Sequence, residues 1–131
     1  YGQTECIRTC YLPPEQLDVR PGSVGVPIPG SDTWIEDDEG NEVGPNVVGE
    51  LCVRGPHVMQ GYWQNPGATA QRVREGRHPG ERILATNDLF RTAFTVHFGG
   101  VDEVHAEFKP NRSAAISDSR REGSSPILHV P

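Results

Sequence analysis

Gly49-Glu50-Leu51-Cys52-Val53-Arg54-Gly55 is the stretch on which the fold turns. Polar and apolar side chains alternate through it with period two, the pattern of a half-buried strand, and a glycine stands at each end. Upstream, Asp37-Asp38-Glu39-Gly40-Asn41 reads as a solvated hairpin turn, because Asp, Gly and Asn accept the backbone angles that reverse a chain. Thr33-Trp34-Ile35 is the expected partner strand, with Trp34 at its end, and Ser23-Val24-Gly25-Val26 leads into Pro27-Ile28-Pro29-Gly30 before it. Residues 21–60 are therefore expected to form a β subdomain. The consecutive prolines of Tyr11-Leu12-Pro13-Pro14 cannot sit inside a helix, so that segment is a loop.

Downstream, Gly61-Tyr62-Trp63 marks an aromatic loop, with both rings expected to pack. Residues 66–75 are helix-like, and Pro66 suits a first helical turn. Arg82-Ile83-Leu84-Ala85-Thr86 reads as a strand that ends at Asn87-Asp88, a turn able to present a carboxylate to a ligand. Phe94-Thr95-Val96-His97-Phe98 is one more candidate strand, whereas residues 111–131 are rich in Ser and Arg without periodicity and are expected to be disordered.

Composition narrows the function classes. The chain has 131 residues, and Gly and Pro make up about a fifth of them, well above the ~12% of ordinary domains. The formal net charge is −6. Residues 1–60 carry ten acids against three arginines, and residues 61–131 carry eight acids against nine bases. Neither part has the basic stripe that a phosphate backbone demands, which argues against nucleic acid as a partner. No apolar window of the ~20 residues that a transmembrane helix needs is present. No secretory leader is recognisable, and a start on Tyr1-Gly2-Gln3 without Met is expected of an internal piece of a longer protein. Three cysteines, Cys6, Cys10 and Cys52, are an odd number for a disulfide framework and lack zinc spacing, so reduced thiols in a cytoplasmic protein are expected. His57, His78, His97, His105 and His129 show no catalytic spacing.

Four motifs in order carry a more specific signal. They are YGQTE at 1–5, GSVGVPIPG at 22–30, GELCVRGPHVMQGYWQNPGATA at 49–70 and TNDLFR at 86–91. Together they resemble the AMP-forming acyl-CoA synthetase and adenylation-domain superfamily, most closely bacterial acyl-CoA ligases. The resemblance covers residues 1–91. It implies an α/β fold with a mainly β subdomain, from the C-terminal part of the large N-terminal domain of an adenylate-forming enzyme. Such enzymes activate a carboxylic acid with ATP to an acyl-adenylate and pass the acyl group to the thiol of CoA or of a carrier-protein pantetheine.

By that resemblance Tyr1 would stack on adenine, Gly2 would let the backbone approach closely, and Thr4 would donate a hydroxyl hydrogen bond to the α-phosphate. Glu5 would help to hold Mg²⁺, a hard cation that takes oxygen ligands beside phosphates. Asp88 would accept hydrogen bonds from both ribose hydroxyls of ATP or AMP. Each residue alone has an ordinary alternative: Tyr1 covering a core edge, Thr4 opening a helix with Ile7, Asp88 as a turn or cap. Their order as a set favours the nucleotide roles.

Departures from the family pattern set limits. Asn87 stands where a glycine is expected, and beyond Arg91 the family's arginine and lysine positions fall on Gly100 and Ala106 if Asp102 takes the hinge position. The family's phosphate loop and adenylation lysine are not found, so the chain alone is expected to be inactive. Residues 92–131 are expected to be a degenerate or frame-disrupted tail. A degenerate nucleotide-binding or regulatory remnant, or a non-functional fragment, are the alternatives to a piece of a ligase.

Overall fold

A computed structural model describes residues 1–92 together with the strand at 106–109. The elements run β1 (Cys10–Tyr11), a 3-10 turn (Pro14–Gln16), β2 (Val26–Pro27), β3 (Asp32–Glu36), β4 (Gly49–Arg54), α1 (Pro66–Arg72), β5 (Val73–Glu75), β6 (Arg82–Thr92) and β7 (Ala106–Lys109). The described residues are thus mainly β with one α-helix. The first two strands pair as a small antiparallel ribbon, and the others form one antiparallel sheet in the order β3-β4-β6-β5. β7 also pairs with β6, at Leu89–Thr92, whereas β5 pairs with it at Arg82–Leu84. Since β4 occupies the other edge along both stretches, β5 and β7 share one edge of β6, and along that edge residues 85–88 have no strand partner among the described residues.

The strand expected over 49–55 forms as β4, at the centre of this sheet, but it is buried on both sides: Leu51, Cys52 and Val53 are all inaccessible. One face carries the core, where Ile35, Leu51, Val53, Leu84 and Phe90 meet Cys6 and Val58 from the loops. Removing each such aliphatic or aromatic side chain from water contributes about 1.5–3 kcal/mol. Gly49 sits opposite Phe90, and a Cβ there would lie 2.2 Å from the Glu36 carbonyl oxygen, so no larger residue fits. The other face carries a polar strip. Trp34 Nε1 donates to Glu36 Oε1 at 2.6 Å, Arg74 of β5 reaches the same oxygen, and Arg74 Nη2 also lies 4.0 Å from Cys52 Sγ. The small Ala85, paired with Cys52, separates Arg74's strand from β4 and offers no bulk along that path.

The turn at 37–41 forms as expected. Asp37 Oδ1 accepts the main-chain N–H groups of Glu39 and Asn41 at 3.0 and 2.8 Å, and Gly40 takes φ +81°. Asp37's carboxylate is therefore spent on closing the turn.

Four expectations need correction. Trp34 lies in the middle of β3 rather than at its end. The helix begins where Pro66 predicts, and the structure adds an Asn65 cap whose Oδ1 accepts from Ala68 N at 3.1 Å, but the helix stops at Arg72. β-branched Val73 goes extended there and pairs with Leu84, which draws residues 73–75 into the sheet. Trp63 does not pack: it is 89% exposed, on the rim of a surface cleft of about 610 Å³ that Tyr62, Asn65, Thr69 and Val73 also line. The strand beginning at Arg82 does not end at Asn87-Asp88 but continues to Thr92. The expected strand at 94–98, the hinge candidate Asp102 and the expected disorder of 111–131 lie outside the described residues.

Candidate functional site

The site is built around an irregularity in β6. Cys52 pairs with Ala85 and Glu50 with Leu89, so Leu51 alone faces Thr86, Asn87 and Asp88. The extra length is absorbed as a bulge, and Asn87 takes the left-handed φ of +58° that Asn tolerates better than most residues. A bulge leaves main-chain groups without ladder partners, and each must find another. Here side chains supply them. Glu50 Oε1 accepts the Asn87 N–H at 2.6 Å, and Thr86 Oγ1 donates to the Leu51 carbonyl at 2.8 Å while accepting the Asp88 N–H at 3.2 Å. The Thr86 carbonyl, on the open edge between β5 and β7, accepts from Gln3 Nε2 at 2.9 Å and from Arg72 Nη2 at 2.8 Å.

The bulge presents the Asp88 carboxylate to the N-terminal segment. Asp88 Oδ2 accepts from Tyr1 Oη and from Gln3 Nε2, both at 2.6 Å. No cation bonds Asp88 among the described residues, and Oδ1 is not engaged by these donors. Tyr1 is half-buried and meets Phe90 edge-on, with ring centroids 5.0 Å apart. Burial first, and the adjoining Asp88 second, push the Tyr1 hydroxyl's pKa upward, so it stays a proton donor. The Tyr1 main chain is fixed as well, because its carbonyl accepts from Thr9 N at 2.9 Å and Cys10 N at 3.0 Å. On another side Tyr1 and Gly2 line a cleft of about 330 Å³ with Arg8, Cys10, Tyr11 and Ile28.

Gly2 does meet a close approach, but the approaching group is this chain's own backbone. A Cβ at Gly2 would sit 2.7 Å from Arg8 N. Gln3 and Cys6 exchange two main-chain hydrogen bonds of 3.2 Å, which puts exposed Thr4 and half-buried Glu5 at the tip of a tight turn instead of opening a helix. Tyr62 Oη donates to Glu5 Oε1. That hydrogen bond outweighs partial burial and, helped by the Arg72 charge, holds the Glu5 carboxyl below its usual range. Tyr62 thus packs through its hydroxyl onto the turn. Thr4 and Glu5 are brought to the same end of the sheet as Tyr1 and Asp88, which are 87 residues apart in sequence.

A family model described as AMP-binding enzyme matches residues 1–63. The long-chain-fatty-acid–CoA ligase of Salmonella typhimurium is 43% identical over 91 residues, covering 69% of this chain and 16% of that ligase. The protein of the same name from Escherichia coli O157:H7 is 46% identical over the same length and covers the same shares. The O-succinylbenzoate coenzyme A synthetase of Bacillus subtilis, solved in complex with AMP, superposes with a TM-score of 0.70 at 29% identity, over 86% of this chain and 21% of that one. The chain belongs to the AMP-forming ligase superfamily. It spans about 16% of the length of the curated relatives it matches. Of the motif residues, Tyr1 and Asp88 are in direct contact, and Glu5 lies in the turn closed by Gln3 and Cys6. Gln3 and Thr86, which connect them, lie inside the first and last motifs without a role assigned to them by the sequence, and Arg72 lies outside all four motifs.

Proposed function

We propose that this chain forms the ribose end of the nucleotide site of an AMP-forming ligase. That ligase activates a carboxylic acid with ATP, releasing pyrophosphate, and the acyl-adenylate then passes its acyl group to the thiol of CoA or of a carrier protein, releasing AMP. A cytoplasmic location suits this chemistry. The observation that carries the reading is the Asp88 carboxylate, raised on a bulge and anchored through one oxygen by two neutral donors. A carboxylate so held leaves its second oxygen for a vicinal diol, and charge-assisted hydrogen bonds of that kind are worth about 1.5–3 kcal/mol.

In this reading Tyr1 offers its ring to adenine from the cleft it lines with Gly2, while Thr4 at the turn tip donates to the α-phosphate. Mg²⁺ is bound in such sites through one or two carboxylates plus substrate phosphates. Glu5 fits that mode: it is an ionised carboxylate with one oxygen taken by Tyr62, and no group of three metal-binding side chains occurs among the described residues. The ion would supply charge neutralisation at the phosphates. Neither the family's phosphate loop nor its adenylation lysine has a match in this sequence, so the chain by itself is expected to bind nucleotide without adenylating an acid. Calorimetric titration with ATP and Mg²⁺ tests binding: heat of association supports the reading, and none refutes it. In a ligase containing this segment, Asp88→Ala should raise KM for ATP and slow ATP–pyrophosphate exchange, and unchanged exchange would refute the ribose role.

A further inference from the structure

We propose that Arg72 is a positioning residue for the nucleotide site, acting on Asp88 through Gln3 and the bulge carbonyl. The inference rests on the ribose reading of Asp88 and adds a residue to it. Arg72 is the last residue of α1, and its guanidinium reaches the edge of β6 between β5 and β7. Nη2 donates to the Thr86 carbonyl at 2.8 Å and lies 3.4 Å from Gln3 Oε1. With its amide oriented as its neighbours require, Asn87 offers its oxygen to the same guanidinium and its nitrogen to Glu50 Oε1 at 3.2 Å. One planar cation therefore serves three acceptors on two chain segments, which suits the multi-donor fork of arginine and not the single point of lysine.

The consequence falls on Gln3. Arginine donates only, so the Gln3 oxygen must face Arg72, and its nitrogen is left to face the bulge. Its two N–H groups then go to the Thr86 carbonyl at 2.9 Å and Asp88 Oδ2 at 2.6 Å. Arg72 thereby fixes the amide that holds Asp88, and it does so without placing its own charge on that carboxylate. No ion pair joins them among the described residues. A side chain that served only to cover the sheet edge would need the Thr86 contact and neither of the others.

The test uses the whole chain and two readouts. Hydrogen exchange of the Gln3 side-chain amide, followed by NMR without ligand, reports the positioning itself. Arg72→Met is expected to speed that exchange by about tenfold or more while the far-UV spectrum is retained. Unchanged exchange in folded Arg72→Met overturns the proposal. Arg72→Lys keeps a cation for the Thr86 carbonyl and is the variant to use if Met does not fold; it too should release the Gln3 amide, and wild-type protection in it overturns the proposal. The second readout is the preference for adenosine over 2′-deoxyadenosine, which Arg72→Met should reduce from about tenfold towards unity. Absence of any preference in the unsubstituted chain defeats the ribose reading, whereas the Gln3 readout still decides the role of Arg72 in the fold.

Discussion

Two carboxylates in this molecule each take two donors on a single oxygen, and they end in different electrostatic states. Glu36, on the back of the sheet, accepts from Trp34 and from the Arg74 guanidinium, so its charge is neutralised where it is formed. Asp88, on the front, accepts from a phenol and an amide, both neutral. The nearest cation of its cluster, Arg72, is spent on Gln3, Thr86 and Asn87. A carboxylate paired with arginine holds strands together. One anchored by neutral donors has no cation partner among the described residues and leaves an oxygen that a ligand can use. The contrast separates a structural site from a binding site more clearly than the residue types do, since both clusters combine an acid, an arginine and an aromatic.

The largest effect should come from Asp88→Asn. Asn can still accept from Tyr1 and Gln3, so stability should move by less than about 1 kcal/mol. It replaces the free acceptor with an amide donor, and adenosine affinity should fall about ten- to a hundredfold by calorimetry. Glu36→Gln should do the opposite. Nucleoside binding should be unchanged, and urea denaturation should show a loss of about 1–2 kcal/mol, because Arg74 loses its counter-charge at the sheet surface.

Acid should separate the two regions next. Burial pushes the Glu36 carboxyl up, but the hydrogen bonds from Arg74 and Trp34 outweigh it and leave it below its usual 4.5. A group that binds its proton less readily when folded confers stability above the unfolded pKa and loses it as pH falls through the folded one. The urea midpoint of the unsubstituted chain should therefore drop as pH falls below that usual value, and more steeply than in Glu36→Gln. A parallel decline in both would show that Glu36 is not a source of the acid sensitivity. The smallest effect belongs to Arg54→Met. Arg54 pairs with Asp32 at 2.7 Å and lies over Trp34, yet Asp32 is well exposed, and the loss should stay below about 0.5 kcal/mol and shrink with salt.

What was legible in the sequence is what short-range chemistry decides. The strand expected over 49–55, the turn closed by Asp37 and Gly40, and the helix start at Pro66 each follow from neighbours within a few residues. The continuation of β6 past Asn87 does not. Asn-Asp has the local signature of a turn, and the chain goes on only because Glu50, Gln3 and Arg72 satisfy the bulge from elsewhere. Cys52 looks like one step of an alternating strand, and its burial on the back face depends on Arg74 and Glu36 lying over it. For the site, Tyr1, Glu5 and Asp88 were marked by motif, and the structure brings them to one end of the sheet. Gln3 lies in the first motif but carries no role there, and Arg72 lies in no motif, because a residue that works by orienting another has no pattern of its own.

The central claim is that the Asp88 carboxylate is held ready for a ribose diol, and titration of the whole chain with adenosine and with 2′,3′-dideoxyadenosine tests it most directly. Adenosine should bind about tenfold or more tightly, with NMR shifts centred on Tyr1, Gln3 and Asp88. Equal affinity for the two nucleosides, or shifts that leave Asp88 and Gln3 untouched, would contradict it.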